Sequence, residues 1–234
     1  MKRGKKILLI TLCAVLALAA AAGAVISRLS EAQRNGVYER IFREHYHARV
    51  ALFEEENKAY EKGEVDVAFI GDSLTEGYDV ENHYPQYTVV NRGIGGDTTI
   101  GLEQRLEQSV YAIEPKVVVM LIGANNMNTM FVNYERILKK LHKNLPNSEI
   151  VLVSLTAMGK DWARNNELAI KNNKRIKKLA DKYDDTFVDL FTPLQDPETG
   201  EIREEYTTDG GHQTPLGYEV FTATISPALK EILG

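Results

Sequence analysis

The chain predicts an α/β fold, a three-layer α/β/α sandwich around a five-stranded parallel sheet, preceded by an N-terminal membrane segment. Three observations lead there. Short β-branched runs alternate with longer helical stretches, as in a sheet covered on both faces. One run, Val117-Val118-Val119-Met120-Leu121-Ile122, lacks polar alternation, as a central strand should. Residues 7–26 form an uncharged apolar stretch behind Lys2, Arg3, Lys5 and Lys6. At 234 residues and 44% hydrophobic content, the remainder supports one globular domain with a substantial core.

Taken in order, residues 7–26 come first. At about 1.5 Å rise per residue they are long enough to cross a hydrocarbon core of about 30 Å. A cleaved signal peptide usually has a shorter apolar region of roughly 7–15 residues. Small residues nevertheless abound between Ala19 and Ala24, so a signal anchor and a cleaved signal peptide both stay open. Under either reading the basic flank stays inside, and the rest lies outside the cytoplasmic membrane, anchored or secreted. Cys13 is not a lipidation site, because Leu12 precedes it where a small residue is needed. As the only cysteine it also leaves the exported part without an internal disulfide, which suits a bacterial surface protein.

Residues 27–64 read as a stalk and an amphipathic helix, with Ile41, Val50, Phe53 and Tyr60 recurring among charges over 37–62 and Gly63 as the stop. Strands are expected at 65–71, 88–91, 116–122, 149–155 and 186–190. Helices are expected at 98–113, 132–145, 162–182 and 215–233, the last with Pro215 in its first turn. The net charge of −5 includes the four basic residues before residue 27, so the rest carries −9. Such an acidic domain is poorly suited to binding nucleic acid or anionic lipid through a basic patch, and a neutral substrate fits more easily.

In an open parallel sheet, ligands bind beyond the carboxyl ends of the strands. Three polar motifs fall at such ends: Gly71-Asp72-Ser73, the run from Asn91 through Gly93, Gly95 and Gly96 to Asp97, and Gly123-Ala124-Asn125-Asn126. A fourth, Asp209-Gly210-Gly211-His212, stands on a loop before the final helix. A serine hydroxyl is a poor nucleophile at neutral pH; it needs an adjacent base, and the base needs a third group to fix its tautomer. Ser73, His212 and Asp209 are the candidates for those roles.

Plainer readings stand beside these. Ser73 alone fits a helix cap, Asp72 a loop hydrogen bond, and Asp97 with Thr98 a helix start. The glycine run lacks the third glycine of a dinucleotide fingerprint, since Thr98 stands there. Thr75 likewise breaks a Gly-x-Ser-x-Gly elbow. His45 and His47 are two apart on a helix and point in different directions, and His83 and His142 have no partner motif. No metal and no cofactor are expected. Trp162, just past the fourth strand, is a candidate wall for a sugar ring or a packing residue at a helix start.

With its four blocks in order, the chain from about Val65 to Leu229 resembles the SGNH hydrolases, also called GDSL esterases and lipases, and 65–234 is read as that domain. The resemblance implies that Ser73 is the nucleophile, His212 the general base and Asp209 its orienting acid. It also implies an oxyanion hole made of the Ser73 N–H, the Gly96 N–H and the Asn125 side chain. The sequence departs from the family's commonest pattern at Gly211, where a bulky apolar residue often precedes the histidine, and this bears on the shape of the pocket wall. Family members act on acetylated sugars, small esters, lysophospholipids and acyl thioesters. Residues 75–82 offer no apolar stretch for a long acyl chain, so the reading favours removal of acetyl groups from a carbohydrate at the cell surface. A lipase, lysophospholipase or thioesterase is the first alternative. A non-catalytic glycan-binding module, which would lack a triad or oxyanion residue, is the second. Acyl transfer to another sugar would use the same residues, and the oligomeric state stays open.

Overall fold

A computed structural model describes residues 31–159, 162 and 166–234, with side chains from residue 40 onward. The expected membrane segment, residues 7–26, lies outside the described residues. Among the described residues no helix is long and apolar enough to cross a membrane. Contacts divide the chain into two units, Met1–His45 and Tyr46–Gly234. The first helix, α1 (Glu31–Glu56), runs through both. Within the first unit Arg40 Nε pairs with Glu44 Oε1 at 2.9 Å, one turn on.

The second unit holds five parallel strands: β1 (Val67–Gly71), β2 (Val89–Gly93), β3 (Val117–Leu121), β4 (Glu149–Val153) and β5 (Thr186–Val188), in the order β2-β1-β3-β4-β5. Each expected strand is present, trimmed or shifted by one or two residues at its ends. The uniformly apolar β3 is the middle strand, and all five of its residues are buried. Short helices α2 (Ser73–Glu76) and α3 (Val80–His83) link β1 to β2. Three more follow: α4 (Thr99–Gln104), α5 (Phe131–Asn144) and α6 (Asn166–Tyr183). After β5 come α7 (Phe191–Leu194) and α8 (Pro215–Leu233). The leftward step from β1 to β2 and the rightward steps from β2 to β3 to β4 to β5 put helices on opposite faces, because such crossovers are right-handed. In agreement, α4 packs on α5, while α8 returns to α2, with the Tyr218 hydroxyl donating to the Leu74 carbonyl at 3.1 Å.

Two helix expectations are corrected. The first helix ends at Glu56, not Lys62, and gives way to a 3-10 turn at Asn57–Ala59. There the Asn57 amide donates to the Gln108 carbonyl at 2.7 Å and accepts from Arg92 at 2.9 Å, so tertiary bonds override helix propensity. The helix expected over 98–113 is broken: α4 stops at Gln104 and a π-helical turn occupies Glu107–Tyr111. Arg105 leaves the helical path (φ −114°) to bury its guanidinium, which is 1% exposed. Of the helix expected over 162–182, the described part is Asn166–Tyr183, and the Asn166 side-chain amide closes a two-bond ring with the backbone of Met158 (3.0 and 2.8 Å).

Glu103 ties α4 to α5, accepting from Asn133 at 2.6 Å and pairing with Arg136 at 2.7 Å and Lys140 at 2.8 Å. Partial burial pushes its carboxyl up, but Arg136, Lys140 and Asn133 outweigh this and hold it at about 2, against an ordinary 4.5. Because the folded state favours the ionised form, this contribution is full above the ordinary value and disappears as pH falls through about 2. Glu103→Gln should therefore lower the urea unfolding midpoint at pH 7. The gap to wild type should close between pH 4.5 and about 2 when the two titrations are compared.

Candidate active site

Ser73 opens α2 immediately past the carboxyl end of β1, so its N–H has no acceptor inside that turn. Asp72 is the N-cap: its Oδ1 accepts the Leu74 N–H at 3.1 Å, the structural part expected for it. The turn is tied to the glycine loop twice. Ile94 N–H donates to the Gly71 carbonyl at 3.1 Å, and Glu76, at the far end of α2, accepts the Gly95 N–H through Oε2. Gly96 follows with φ +75°, a left-handed conformation that a side chain would strain. Thr98 caps α4 by accepting from Gly101, as expected. Asp97 instead turns inward, its carboxylate meeting Arg105 Nε at 2.8 Å, with side-chain exposures of 1% for Arg105 and 2% for Asp97.

Arg105 is a residue that motif reading missed. Its Nη2 donates to the Gly71 carbonyl at 2.8 Å, and its Nη1 to the Arg92 carbonyl and the Ser109 hydroxyl, each at 2.8 Å. One guanidinium thus joins the end of β1, the end of β2, the glycine loop and the π-helical turn. No sequence signal marks it, because two of its four partners are backbone carbonyls.

The Asp-x-x-His loop reaches the same edge. His212 Nε2 lies 3.0 Å from Ser73 Oγ, across 139 positions of sequence, and His212 Nδ1 lies 2.7 Å from Asp209 Oδ2. A carboxylate accepts, so Nδ1 carries a proton, and in the neutral ring Nε2 faces the serine hydroxyl as acceptor. Asp209 Oδ1 takes two backbone N–H groups, from His212 at 2.8 Å and Gly211 at 3.0 Å. Partial burial pushes the Asp209 carboxyl up, yet the His212 ring and these two N–H groups outweigh it and leave it below the ordinary carboxylate value.

Asn125 sits in a 3-10 turn, Ala124–Asn126, past β3. Its amide donates to the Asp97 carbonyl at 2.8 Å, beside Gly96. A cavity of about 10 Å³ is lined by Asp72, Ser73, Asn125, Thr156, Met158 and Trp162, among others. Ser73, His212, Asp209 and Asn125 are therefore brought together, with Gly96 one residue from the carbonyl that holds Asn125. Trp162 sits at a bend. Its Nε1–H donates to the Asp209 carbonyl at 2.6 Å, and its ring stands edge-on to His212, 5.3 Å between centroids. The other histidines have structural neighbours: His142 Nε2 lies 3.0 Å from Asp185 Oδ1, and His83 Nδ1 lies 2.7 Å from Thr222 Oγ1.

Removing one member of a buried ion pair leaves the other charge unmatched, typically at about 3–5 kcal/mol. Arg105→Leu should lower the free energy of unfolding by about that amount in a denaturant titration at pH 7. Lys116→Leu, which removes an exposed partner of Asp66, should cost under about 1 kcal/mol.

Comparison with known proteins agrees with this fold. A solved structure from Streptococcus pneumonia, described as "a putative platelet activating factor", matches with 27% identity and a TM-score of 0.79, over 86% of this chain and all of that one. A GDSL-like lipase from Bacteroides thetaiotaomicron matches with 25% identity and a TM-score of 0.69, over 79% and 98%. A catalytic mutant of an acetylxylan esterase from Geobacillus stearothermophilus shares the fold, with 18% identity and a TM-score of 0.58 over 74% and 95%. No curated protein matches the sequence. The model of the GDSL-like lipase/acylhydrolase family matches residues 69–220, so the chain belongs to that family of ester-cleaving hydrolases.

Proposed function

We propose that the protein is a serine esterase that removes short acyl groups, above all acetyl, from carbohydrate outside the cytoplasmic membrane. The observation that carries this reading is the continuous relay from Asp209 through His212 to Ser73, at 2.7 and 3.0 Å. His212 Nε2 takes the Ser73 hydroxyl proton as Oγ bonds to the acyl carbon. The oxyanion that forms is held by the Ser73 N–H, the Gly96 N–H and the Asn125 side chain. As the intermediate collapses, the ester C–O bond breaks and His212 gives its proton to the departing alcohol. Water, activated by the same imidazole, then releases the acid and regenerates Ser73.

The cavity beside Ser73, about 10 Å³, is narrow and suits a methyl group better than a long chain. The shared fold with the acetylxylan esterase supports a polymeric or oligomeric sugar as the alcohol part. Residues 7–26 would anchor the enzyme at the membrane, or be removed on export.

Ser73→Ala should lower turnover of an acetyl aryl ester by at least about 10³-fold while cooperative unfolding is retained. A folded mutant with wild-type turnover would overturn the nucleophile assignment. Asn125→Ala should lower kcat by about 10²–10³, as loss of one oxyanion donor does. On the wild type, acetyl esters should be cleaved faster than decanoyl esters; the reverse order would mark a lipase.

A further inference from the structure

We infer that Trp162, and not the residue preceding His212, sets the size of the acyl group this enzyme accepts; the inference rests on the esterase reading above. The indole and its backbone are held at three points. Its Nε1–H donates to the Asp209 carbonyl at 2.6 Å, and its ring meets the His212 imidazole edge-on at 74°. Its own backbone N–H donates to the Gly159 carbonyl at 3.1 Å, while Gly159 N–H donates to the Gly210 carbonyl at 2.7 Å. So fixed, the indole forms part of the wall of the cavity that also contains Ser73 and Asn125.

Gly211 shows how tightly that volume is assigned. A Cβ there would lie 2.1 Å from both Cε2 and Cζ2 of Trp162. The backbone of Gly211 is not left-handed, whereas Gly210 has φ +87°. Conformation therefore demands glycine at 210, and the indole alone demands it at 211. The space beside the histidine is filled from the segment after β4 instead of from the histidine loop.

The cavity is the acyl side for two reasons. Its narrow volume, about 10 Å³, fits a small acyl group better than a sugar or other bulky alcohol. The imidazole that must protonate the leaving alcohol is 43% exposed, so the alcohol has an open exit elsewhere. With the indole removed, the remaining wall includes Leu74, Thr156 and Met158, which offers largely apolar contact to a longer chain.

The test measures kcat/KM on acetyl, butyryl and hexanoyl esters of one aryl alcohol, for wild type, Trp162→Ala, Trp162→Leu, Gly211→Ala and the Trp162→Ala/Gly211→Ala pair. Each added buried methylene is worth about fourfold. Trp162→Ala should therefore raise the hexanoyl-to-acetyl ratio at least about tenfold, with Trp162→Leu between it and wild type. Gly211→Ala should cost at least about tenfold on acetyl ester in the wild type and less than about twofold in the Trp162→Ala background, where the clash is gone. An unchanged ratio in both folded Trp162 variants, or the same Gly211→Ala loss in both backgrounds, overturns the inference. If Trp162→Ala fails to fold, the Trp162→Leu ratio and the Gly211→Ala/Trp162→Leu pair decide. Failure of the underlying reading shows separately, in the wild type alone, as hexanoyl preferred over acetyl.

Discussion

The geometry of the site hangs on one buried guanidinium. Arg105 is 1% exposed, and its donors reach the end of β1, the end of β2, the glycine loop and the π-helical turn. The carbonyl of Gly71 stands two residues before Ser73, and the Asp97 carboxylate follows Gly96 directly. The elements that present the serine and the glycine are thus fixed to a common rigid group. Around it, Phe53 of α1 offers its ring to Arg49 and Arg92, each 4.9 Å from the centroid, and to Arg105 at 5.8 Å. Part of the packing of α1 is accordingly cationic groups on an aromatic face, which an apolar periodicity does not register. Arg49 adds a bond to the Gly93 carbonyl at 3.1 Å, and the Tyr46 hydroxyl one to the Gly101 carbonyl at 2.9 Å.

A second device brings the far end of the chain to the serine. Tyr218, six residues past His212, donates to the Leu74 carbonyl and stacks on Tyr78 at 5.1 Å, nearly parallel. Tyr78 in turn shares hydroxyl contacts with Tyr84 at 3.0 Å and Thr222 at 2.6 Å, and Thr222 reaches His83. Burial pushes the Tyr78 phenol up to about 12, so it remains a neutral hydroxyl at physiological pH. The aromatic faces supply apolar area while the hydroxyls satisfy each other, which lets α8 pack against the serine-bearing turn without orphaning polar groups. The 139-position gap between Ser73 and His212 is closed by helix packing, and the hydrogen bond between them is its consequence.

What was legible in the letters follows from where the partners lie. Strands were legible because β-branched residues in short runs and uniform burial leave a mark within each run, as β3 shows. The four motifs were legible because each lies at a strand end or in one loop. The break after Gln104 was not, since nothing near Arg105 in sequence announces that its charge will turn inward toward carbonyls from Gly71 and Arg92. The first helix ended early for the same reason, through Asn57 and its bonds to Gln108 and Arg92. Gly211 stood out as a departure, but its cause, the indole of Trp162, arrives from 49 positions earlier in the chain. In each case a long-range partner decided against the local pattern.

Two aspartates of this site illustrate how environment assigns a role to one side-chain type. Asp97 is 2% exposed, so its charge must be matched, and Arg105 matches it at 2.8 Å. Asp209 is 47% exposed, and in that setting water screens most of its attraction for His212. Its contribution is directional. With Oδ1 committed to the N–H groups of Gly211 and His212, the plane of the carboxylate is fixed, and Oδ2 can face only the imidazole Nδ1. The Asp-x-x-His spacing makes this possible, because a three-residue reach lets one carboxylate bind both the backbone and the ring of the same histidine. Trp162 then closes the loop from outside by taking the Asp209 carbonyl, so that the orientation of His212 is held by short bonds that do not depend on burying its charge.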